Sequence, residues 1–293
     1  MNATIPTPSV ATYSRVFRLA QWAAVAVFLA RSWQHIYWDA PYRALFWDEA
    51  WLKWLVEGVF GLDWRTYVTS PDTDRLIQAL VTGTGIFYLL CALAAIFINR
   101  LGRPGRIVLW MGSANLILLA FLYCKEKFLF SGQFFEYTLQ WSTPLFLAIL
   151  AQKKSIGPGL VLWMKIAIAL TFTCHGLYAV GYYPRPGQFM EMVMNILPLD
   201  EAGARQFLIG AGILDFVASV LVFWPGQAGR LALAYTIFWG LATTMARLLA
   251  YFHWNLWDSW AELWLHEVLM RLPHFLIPLG LYIHLWGGRG LRR

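Results

Sequence analysis

The first long apolar run of the sequence ends in the stretch Arg31-Ser-Trp-Gln-His-Ile-Tyr-Trp-Asp-Ala-Pro-Tyr-Arg-Ala-Leu-Phe-Trp-Asp-Glu49. This stretch holds two arginines, one histidine, three acids and three tryptophans, in a chain that is only 13% charged. Charged groups next to hydrocarbon are costly unless they are paired, so their partners must come from elsewhere in the chain. The stretch therefore predicts a helix that leaves a membrane at a cluster of polar groups.

The composition is typical of a multi-pass membrane protein. Of the 293 residues, 59% are hydrophobic, with 17 Trp and 20 Phe, and the mean hydropathy is +0.53. The net charge of +7 is spread over short loops and forms no single basic patch, so we expect no nucleic-acid partner. The three cysteines have no CxxC or metal-ligand spacing, which predicts small buried side chains and neither a disulfide framework nor a metal site.

Eight apolar runs are candidates for membrane-spanning helices, which need about 20 residues each. They cover residues 15–36, 75–98, 105–124, 133–151, 159–182, 205–224, 229–250 and 264–286. The predicted fold class is an all-α polytopic membrane protein with about eight transmembrane helices. Residues 1–14 are expected to form a flexible N-terminal tail. Because Phe28-Leu29-Ala30 is a poor cleavage site, we interpret the first run as an uncleaved helix.

The basic residues indicate how these helices are oriented. If the N-terminus is in the cytoplasm, every inner segment is basic and free of acids: Arg15 and Arg18; Arg100, Arg103 and Arg106; Lys153 and Lys154; Arg230; Arg289, Arg292 and Arg293. This distribution obeys the positive-inside rule and predicts a protein of the inner or plasma membrane with both termini cytoplasmic. The long connections 37–74, 183–204 and 251–263 then lie outside.

The outer connections have the composition of membrane-surface segments. Ten of the 17 tryptophans fall in 33–64 and 254–264, which predicts an aromatic belt in contact with membrane lipids. Residues 45–64 are too charged to span and predict an amphipathic helix along the outer surface. Residues 187–198 show a weaker pattern of the same kind.

The sequence also contains an internal repeat. Thr82-Gly-Thr-Gly-Ile86 opens the second apolar run, and Ile209-Gly-Ala-Gly-Ile213 opens the sixth. Each is followed by an apolar run, a short turn and Gly-Arg before the next helix. An even number of helices gives both copies the same orientation. We therefore predict two parallel four-helix repeats, residues 15–152 and 153–293.

The segment from Gly210 to Thr243 resembles the four-helix DoxX-like (DoxD-like) membrane domain. It has a glycine-rich helix opening, an acid three residues after Gly212 (Asp215), a short turn that ends in Gly-Arg, and a helix of small residues. The first half resembles the domain more loosely, since Tyr88 stands in place of the acid. The resemblance implies a layout similar to that of membrane domains that act on quinones, so a quinone is the cofactor or ligand that it implies. Most members have no assigned reaction, and the resemblance implies architecture more than activity.

Ionisable residues inside or beside the helices concentrate at the predicted outer side, where we expect them to line a cavity. Glu267, Arg271 and His274 are spaced i, i+4 and i+7 in the eighth apolar run, which predicts one shared helix face. The residues predicted to move protons, if the protein is an enzyme, are His35, His175, Glu267 and His274. The residues predicted to bind a ligand are Arg31, Asp39, Arg43, Glu136, Arg247, Glu262, His266 and Arg271.

Several interpretations of this polar cluster stay open. It can be a structural network, a proton-relay or anion-binding cavity, or a metal site built from His253, His266, His274 and Glu262, which lack a defining spacing. No P-loop, Rossmann fingerprint, nucleophile elbow or haem motif is present. Our leading hypothesis is a cavity on the outer, non-cytoplasmic side that holds a lipid-like or quinone-type ligand. The alternative is a non-catalytic accessory or assembly subunit whose outer loops dock a partner in a membrane complex. Whether the protein is an enzyme does not follow from the sequence.

Overall fold

The computed structural model describes residues 10–287, and within that range all regular structure is helical. The helices are α1 (Val10–Tyr37), α2 (Arg43–Phe46), α3 (Glu49–Gly58), α4 (Trp64–Thr69), α5 (Pro71–Ile96), α6 (Ile98–Glu126), α7 (Ser131–Glu136), α8 (Thr138–Lys153), α9 (Pro158–Val180), α10 (Gly187–Ile196), α11 (Glu201–Leu221), α12 (Gln227–Ala250), α13 (Trp257–Leu269) and α14 (Pro273–Trp286). A short 3-10 helix at Trp254–Leu256 precedes α13. The prediction of an all-helical chain is confirmed for the described residues.

Six helical segments of the described chain are long and apolar enough to cross a membrane, as expected of a multi-pass membrane protein: α5, α6, α9, α11, α12 and the run Trp254–Trp286. The number does not reach the eight that we predict. The other two predicted spans, 15–36 and 133–151, coincide with α1 and with α7 plus α8. Helix α8 has 16 residues, a length of about 24 Å that falls short of a hydrocarbon core of about 30 Å.

Helix α1 packs against α5, α8, α13 and α14. Its small residues Ala23 and Ala24 are fully buried, and Phe28 stacks on Tyr88 of α5. Because other helices enclose it, α1 can carry Arg31 and His35, which are 3% and 0% exposed, without placing them in lipid. This enclosure explains why α1 is less apolar than the six spanning segments.

Helix α1 also begins earlier than we predict. Its first residue is Val10, so residues 10–14 are helical and do not belong to the predicted flexible tail. The rest of that tail, residues 1–9, lies outside the described part of the chain.

The fourth and eighth predicted helices are each interrupted by a turn. One turn separates α7 from α8 and another separates α13 from α14. Proline has no backbone N–H, so Pro273 at the start of α14 removes one helical hydrogen bond and favours the break. The run predicted over 264–286 therefore contains a short turn at residues 270–272, although Trp254–Trp286 as a whole remains one candidate span. Arg271 lies in this turn and keeps its i, i+4 contact with Glu267.

The helices of the two halves pack in the same order. In the first half α1 packs on α5, α5 on α6 and α6 on α8; in the second half α9 packs on α11, α11 on α12 and α12 on α14. Glycines allow two of these contacts to be very close. A Cβ at Gly85 would lie 3.0 Å from Cβ of His35, and one at Gly212 would lie 2.9 Å from a backbone oxygen of α9. Gly83 and Gly210, the first glycines of the same two motifs, have open space at that position.

The two ends of the bundle differ. The loop-rich end carries the long connections, residues 38–70, 127–130, 181–200 and 251–256. The basic end carries Arg100, Arg103, Arg106, Lys153, Lys154 and Arg230. The two predicted amphipathic segments are helical and lie at the loop-rich end, as α3 with its neighbours and as α10. Helix α10 packs on α11 and α12.

Helix α3 is tied to the end of α6. Asp48 precedes α3 and accepts a hydrogen bond from the backbone N–H of Trp51 at 3.0 Å, which caps the helix. Lys125 of α6 pairs with the same carboxylate. The hydrogen bond from the Lys125 ammonium holds the pKa of Asp48 below its usual range.

Candidate functional site

A pocket of about 330 Å³ lies near the loop-rich end of the second half, between α9, α10, α11, α12 and the start of α14. Its volume falls in the range of small-molecule sites, about 300–1,000 Å³. Most of its wall is apolar and includes Phe172, Phe189, Met192, Phe207 and Trp239. The pocket is therefore suited to a hydrocarbon tail or a ring.

Two arginines and two histidines line the same pocket: His175, Arg247, Arg271 and His274. They come from α9, from α12, from the turn before α14 and from α14 itself. A guanidinium is always charged, and its field is strong where the surroundings are apolar. This part of the pocket therefore attracts an anionic or electron-rich group.

The two pocket histidines contact each other, with 3.2 Å between their Nε2 atoms. Nδ1 of His274 lies 2.9 Å from the carbonyl oxygen of Arg271. A carbonyl can only accept, so the hydrogen-bond network assigns the proton of neutral His274 to Nδ1 and makes its Nε2 an acceptor. His175 then donates through Nε2–H, and its Nδ1 is unprotonated. This Nδ1 has no hydrogen-bond partner among residues 10–287. It is also not among the fully buried atoms that lack a partner, so it is accessible.

The turn between α13 and α14 supplies the carbonyl that fixes this tautomer. Carbonyl groups at a helix end lack their usual partner four residues on, so they accept from other donors. The Arg271 carbonyl accepts from the backbone N–H of His274 at 2.9 Å as well as from its imidazole. Pro273, which favours the turn, thereby positions His274.

Glu267 lies behind the two pocket arginines. Arg271 donates a hydrogen bond to its carboxylate, and Nε of Arg247 lies 3.6 Å from the same carboxylate. Arg247 is 5% exposed and also donates to the carbonyl of Thr243 at 3.2 Å. Because Glu267 does not line the pocket, the positive groups face the cavity and the negative group is behind them.

Asp215 of α11 is a further polar residue of the pocket wall. It is 2% exposed, and its carboxylate accepts a hydrogen bond from the hydroxyl of Tyr235 at 2.9 Å. Our sequence-based site residues do not include it. The sequence does contain a signal for it, because a lone acid inside an apolar helix must face protein or a cavity.

Arg31 lies outside this pocket in a network of its own. Its guanidinium donates to Gln140 at 2.7 Å and to Gln34 at 2.6 Å. It also lies over the rings of Tyr123 and Tyr137, 5.5 and 5.2 Å from their centroids. These contacts tie α1 to α6 and α8, and Arg31, which we predict to bind ligand, does not line the pocket.

Glu136 ends α7 and does not line the pocket. Its carboxylate accepts a hydrogen bond from Gln133 at 2.6 Å. Of the predicted residues, those that line the pocket all belong to the second half.

His35 is enclosed within the first half. Its Nδ1 donates to the carbonyl of Arg31 at 2.7 Å. Its ring meets the rings of Tyr42 and Tyr88 edge-on, at 5.8 and 5.2 Å between centroids. Its Nε2 is buried and has no hydrogen-bond partner in the described chain. His35 does not line the pocket.

Asp39 and Arg43 form a separate ion cluster at the start of α5. Arg43 lies 2.8 Å from Asp39 and 2.8 Å from Asp74. Asp74, in the first turn of α5, holds Arg43 there, and neither Arg43 nor Asp39 lines the pocket.

Two further predicted ligand-binding residues, both on α13, do not line the pocket either. Glu262 is exposed. The ring of His266 stacks on Trp38 at 6.4 Å, and its Nε2 lies 3.9 Å from the carboxylate of Glu267. His266 therefore belongs to the network behind the arginines.

Within residues 10–287, no group of three or more His, Cys, Asp or Glu side chains is placed to hold a metal ion. No protein family, curated protein or solved structure matches this chain. The DoxX-like resemblance therefore stays a prediction.

Proposed function

We propose that this integral membrane protein binds an amphipathic, lipid-like ligand in the pocket between α9, α10, α11 and α12. The observation that carries the proposal is the division of the pocket into a wide apolar wall and a polar part built from Arg247, Arg271 and the histidine pair. The wall suits an apolar tail, and the polar part suits a head group with electron-rich oxygens. A quinone-type molecule is one ligand of this kind.

We propose that the pocket lies at the outer, non-cytoplasmic side of the inner or plasma membrane, with both termini in the cytoplasm. The separation of a basic end from a loop-rich end that carries most of the acids supports this orientation, because cytoplasmic loops are enriched in Lys and Arg.

We also propose that residues 15–152 and 153–293 are two copies of one four-helix unit. The equal packing order, the paired glycine contacts and the turn before each last helix support this relation. The two copies differ beside the histidine that ends the first helix of each. Tyr42 and Tyr88 pack on His35 in the first copy, whereas His175 faces the pocket in the second.

Filling the pocket tests the proposed binding. Ala246 of α12 lines it, and Ala234 of the same helix is exposed on another face. We expect Ala246→Trp to reduce binding of the probe 4-dodecylphenol at least tenfold and Ala234→Trp to leave it unchanged. Native mass spectrometry in detergent measures the binding. Small molecules that copurify should follow the same pattern. Equal binding by both variants would refute the proposal.

The accessory-subunit alternative gives a different result. Exposed aromatic residues at the loop-rich end, such as Trp54, Phe60 and Trp254, offer a surface for a partner. If this were the main function, no small molecule would bind, and substitution of Glu267, Arg271 or His274 would affect only folding in detergent.

A further inference from the structure

Given the function proposed above, we propose that the head group of the ligand carries an acidic O–H that donates to Nδ1 of His175. The oxygen of that group then lies beside Arg247 and Arg271. The ligand class is an apolar tail with a phenol, an acidic hydroxyl or a carboxylic acid at its end.

The tautomers of the two histidines determine this chemistry. The proton on Nδ1 of His274 fixes the direction of the contact between the rings, so His175 presents a lone pair at Nδ1. The guanidinium groups of Arg247 and Arg271 can only donate. The basic part of the pocket therefore offers one imidazole acceptor next to donors, and an acidic O–H satisfies both at once.

The ligand keeps its proton in this arrangement. Its O–H donates to Nδ1 of His175, and its oxygen accepts from the guanidinium groups of Arg247 and Arg271. The two guanidinium groups oppose a positive charge on the neighbouring imidazole, so the ligand binds as the neutral acid. His274 accepts from Nε2–H of His175 and is a positioning residue.

The rest of the polar network leaves a hydrogen-bond donor free for the ligand oxygen. Glu267 is the carboxylate that contacts both arginines directly, and it serves two guanidinium groups. Nε of Arg247 is buried without a hydrogen-bond partner among the described residues. A ligand oxygen beside Arg247 can therefore accept a hydrogen bond that the described residues leave unmade.

Two probes that differ only in the substituent on one oxygen test whether the ligand needs an acidic O–H. 4-Dodecylphenol carries the O–H, and 4-dodecylanisole carries a methyl ether at the same oxygen. We expect the phenol to bind the full-length protein in detergent at least fivefold more tightly, after correction for micelle partitioning, since one hydrogen bond is worth about 1 kcal/mol. Equal affinities would overturn the inference.

Histidine variants show whether His175 causes the preference. We expect His175→Phe to remove it and His284→Phe to retain it. His284 is the matched control, because both its ring nitrogens are buried without partners among the described residues and it does not line the pocket. If His175→Phe does not fold, His175→Asn keeps an acceptor near the position of Nδ1 and should retain the preference. A preference that survives in a folded His175→Phe protein overturns the assignment to His175.

The pocket-filling variant separates this inference from the proposed function. If Ala246→Trp blocks both probes while the wild-type protein binds them equally, the pocket binds amphipathic ligands but the inference that the ligand has an acidic O–H is wrong. If Ala246→Trp blocks neither, the proposed function fails.

Discussion

At the scale of single residues, Glu267 is the acid that neutralises the two pocket arginines. Its carboxylate faces two guanidinium groups, of which Arg247 is almost fully buried. Charges with little access to water depend on their partners, because removal of one partner leaves the other without solvation. Glu262, about one and a half turns earlier on the same helix, is exposed to solvent, so its charge does not depend on a partner.

We expect Glu267→Gln to destabilise the protein by about 2–4 kcal/mol. This is below the full cost of breaking a buried ion pair, because the carboxylate is partly accessible. Thermal unfolding in detergent should show a clear decrease in Tm for Glu267→Gln and a change close to zero for Glu262→Gln. Adding Arg247→Met to Glu267→Gln should recover part of the loss. Equal Tm values for the two single variants would contradict the role of Glu267.

Which charges meet is only partly predictable from the sequence. The pairing of Glu267 with Arg271 follows from their i, i+4 spacing, and the structure contains this contact. The sequence also predicts Asp39 and Arg43 for the same site, but Asp74 from a distant part of the chain holds Arg43 elsewhere. An arginine can pair with any acid that the fold brings near, and spacing along the chain does not identify that acid.

At the scale of helices, the second glycine of each Gly-x-Gly motif determines how closely two helices pack. A side chain at Gly212 would collide with the backbone of α9, whereas one at Gly210 would meet nothing. Small residues at helix contacts have this effect in membrane proteins, where backbones approach closely.

These two glycines form a matched pair for mutagenesis. Gly210→Ala should stabilise α11 by up to about 1 kcal/mol, because alanine favours helix more than glycine does. Gly212→Ala gains the same propensity but forces α9 and α11 apart, so we expect a net loss of stability, measured by thermal unfolding in detergent. A gain for both variants would show that the close contact is unimportant.

The positions of the helices along the chain are easier to predict here than the contacts between them. Apolar runs locate α5, α6, α9, α11 and α12 correctly, because length and hydropathy are local properties. The enclosure of α1 and the packing of α10 against the pocket depend on tertiary contacts. The amphipathic pattern of α10 is visible in the sequence, but it does not distinguish a membrane surface from a pocket wall as the partner of its apolar face.

At the scale of the whole molecule, the proposed relation between the halves combines similarity with difference. The same packing order encloses a histidine among tyrosines in the first half and exposes a histidine to a pocket in the second. One copy would then stabilise the bundle while the other binds ligand.

The orientation in the membrane can be tested with added cysteines, because the native ones, Cys91, Cys124 and Cys174, are all buried. Asn255 at the loop-rich end and Ser155 at the basic end are both exposed. In intact cells we expect a membrane-impermeant maleimide to label Asn255→Cys, and to label Ser155→Cys only after the membrane is permeabilised. The reverse pattern would invert the topology.

The pocket has an apolar rim. Leu249, Ile196 and Phe207 line the pocket and are also 67%, 40% and 37% exposed on the surface of the bundle. In a bilayer such side chains would face acyl chains, so the proposed ligand would exchange sideways with the lipid phase. The occupancy of the pocket would then depend on the mole fraction of ligand among the lipids, and dilution of cells or vesicles in buffer would leave a strongly partitioning ligand bound.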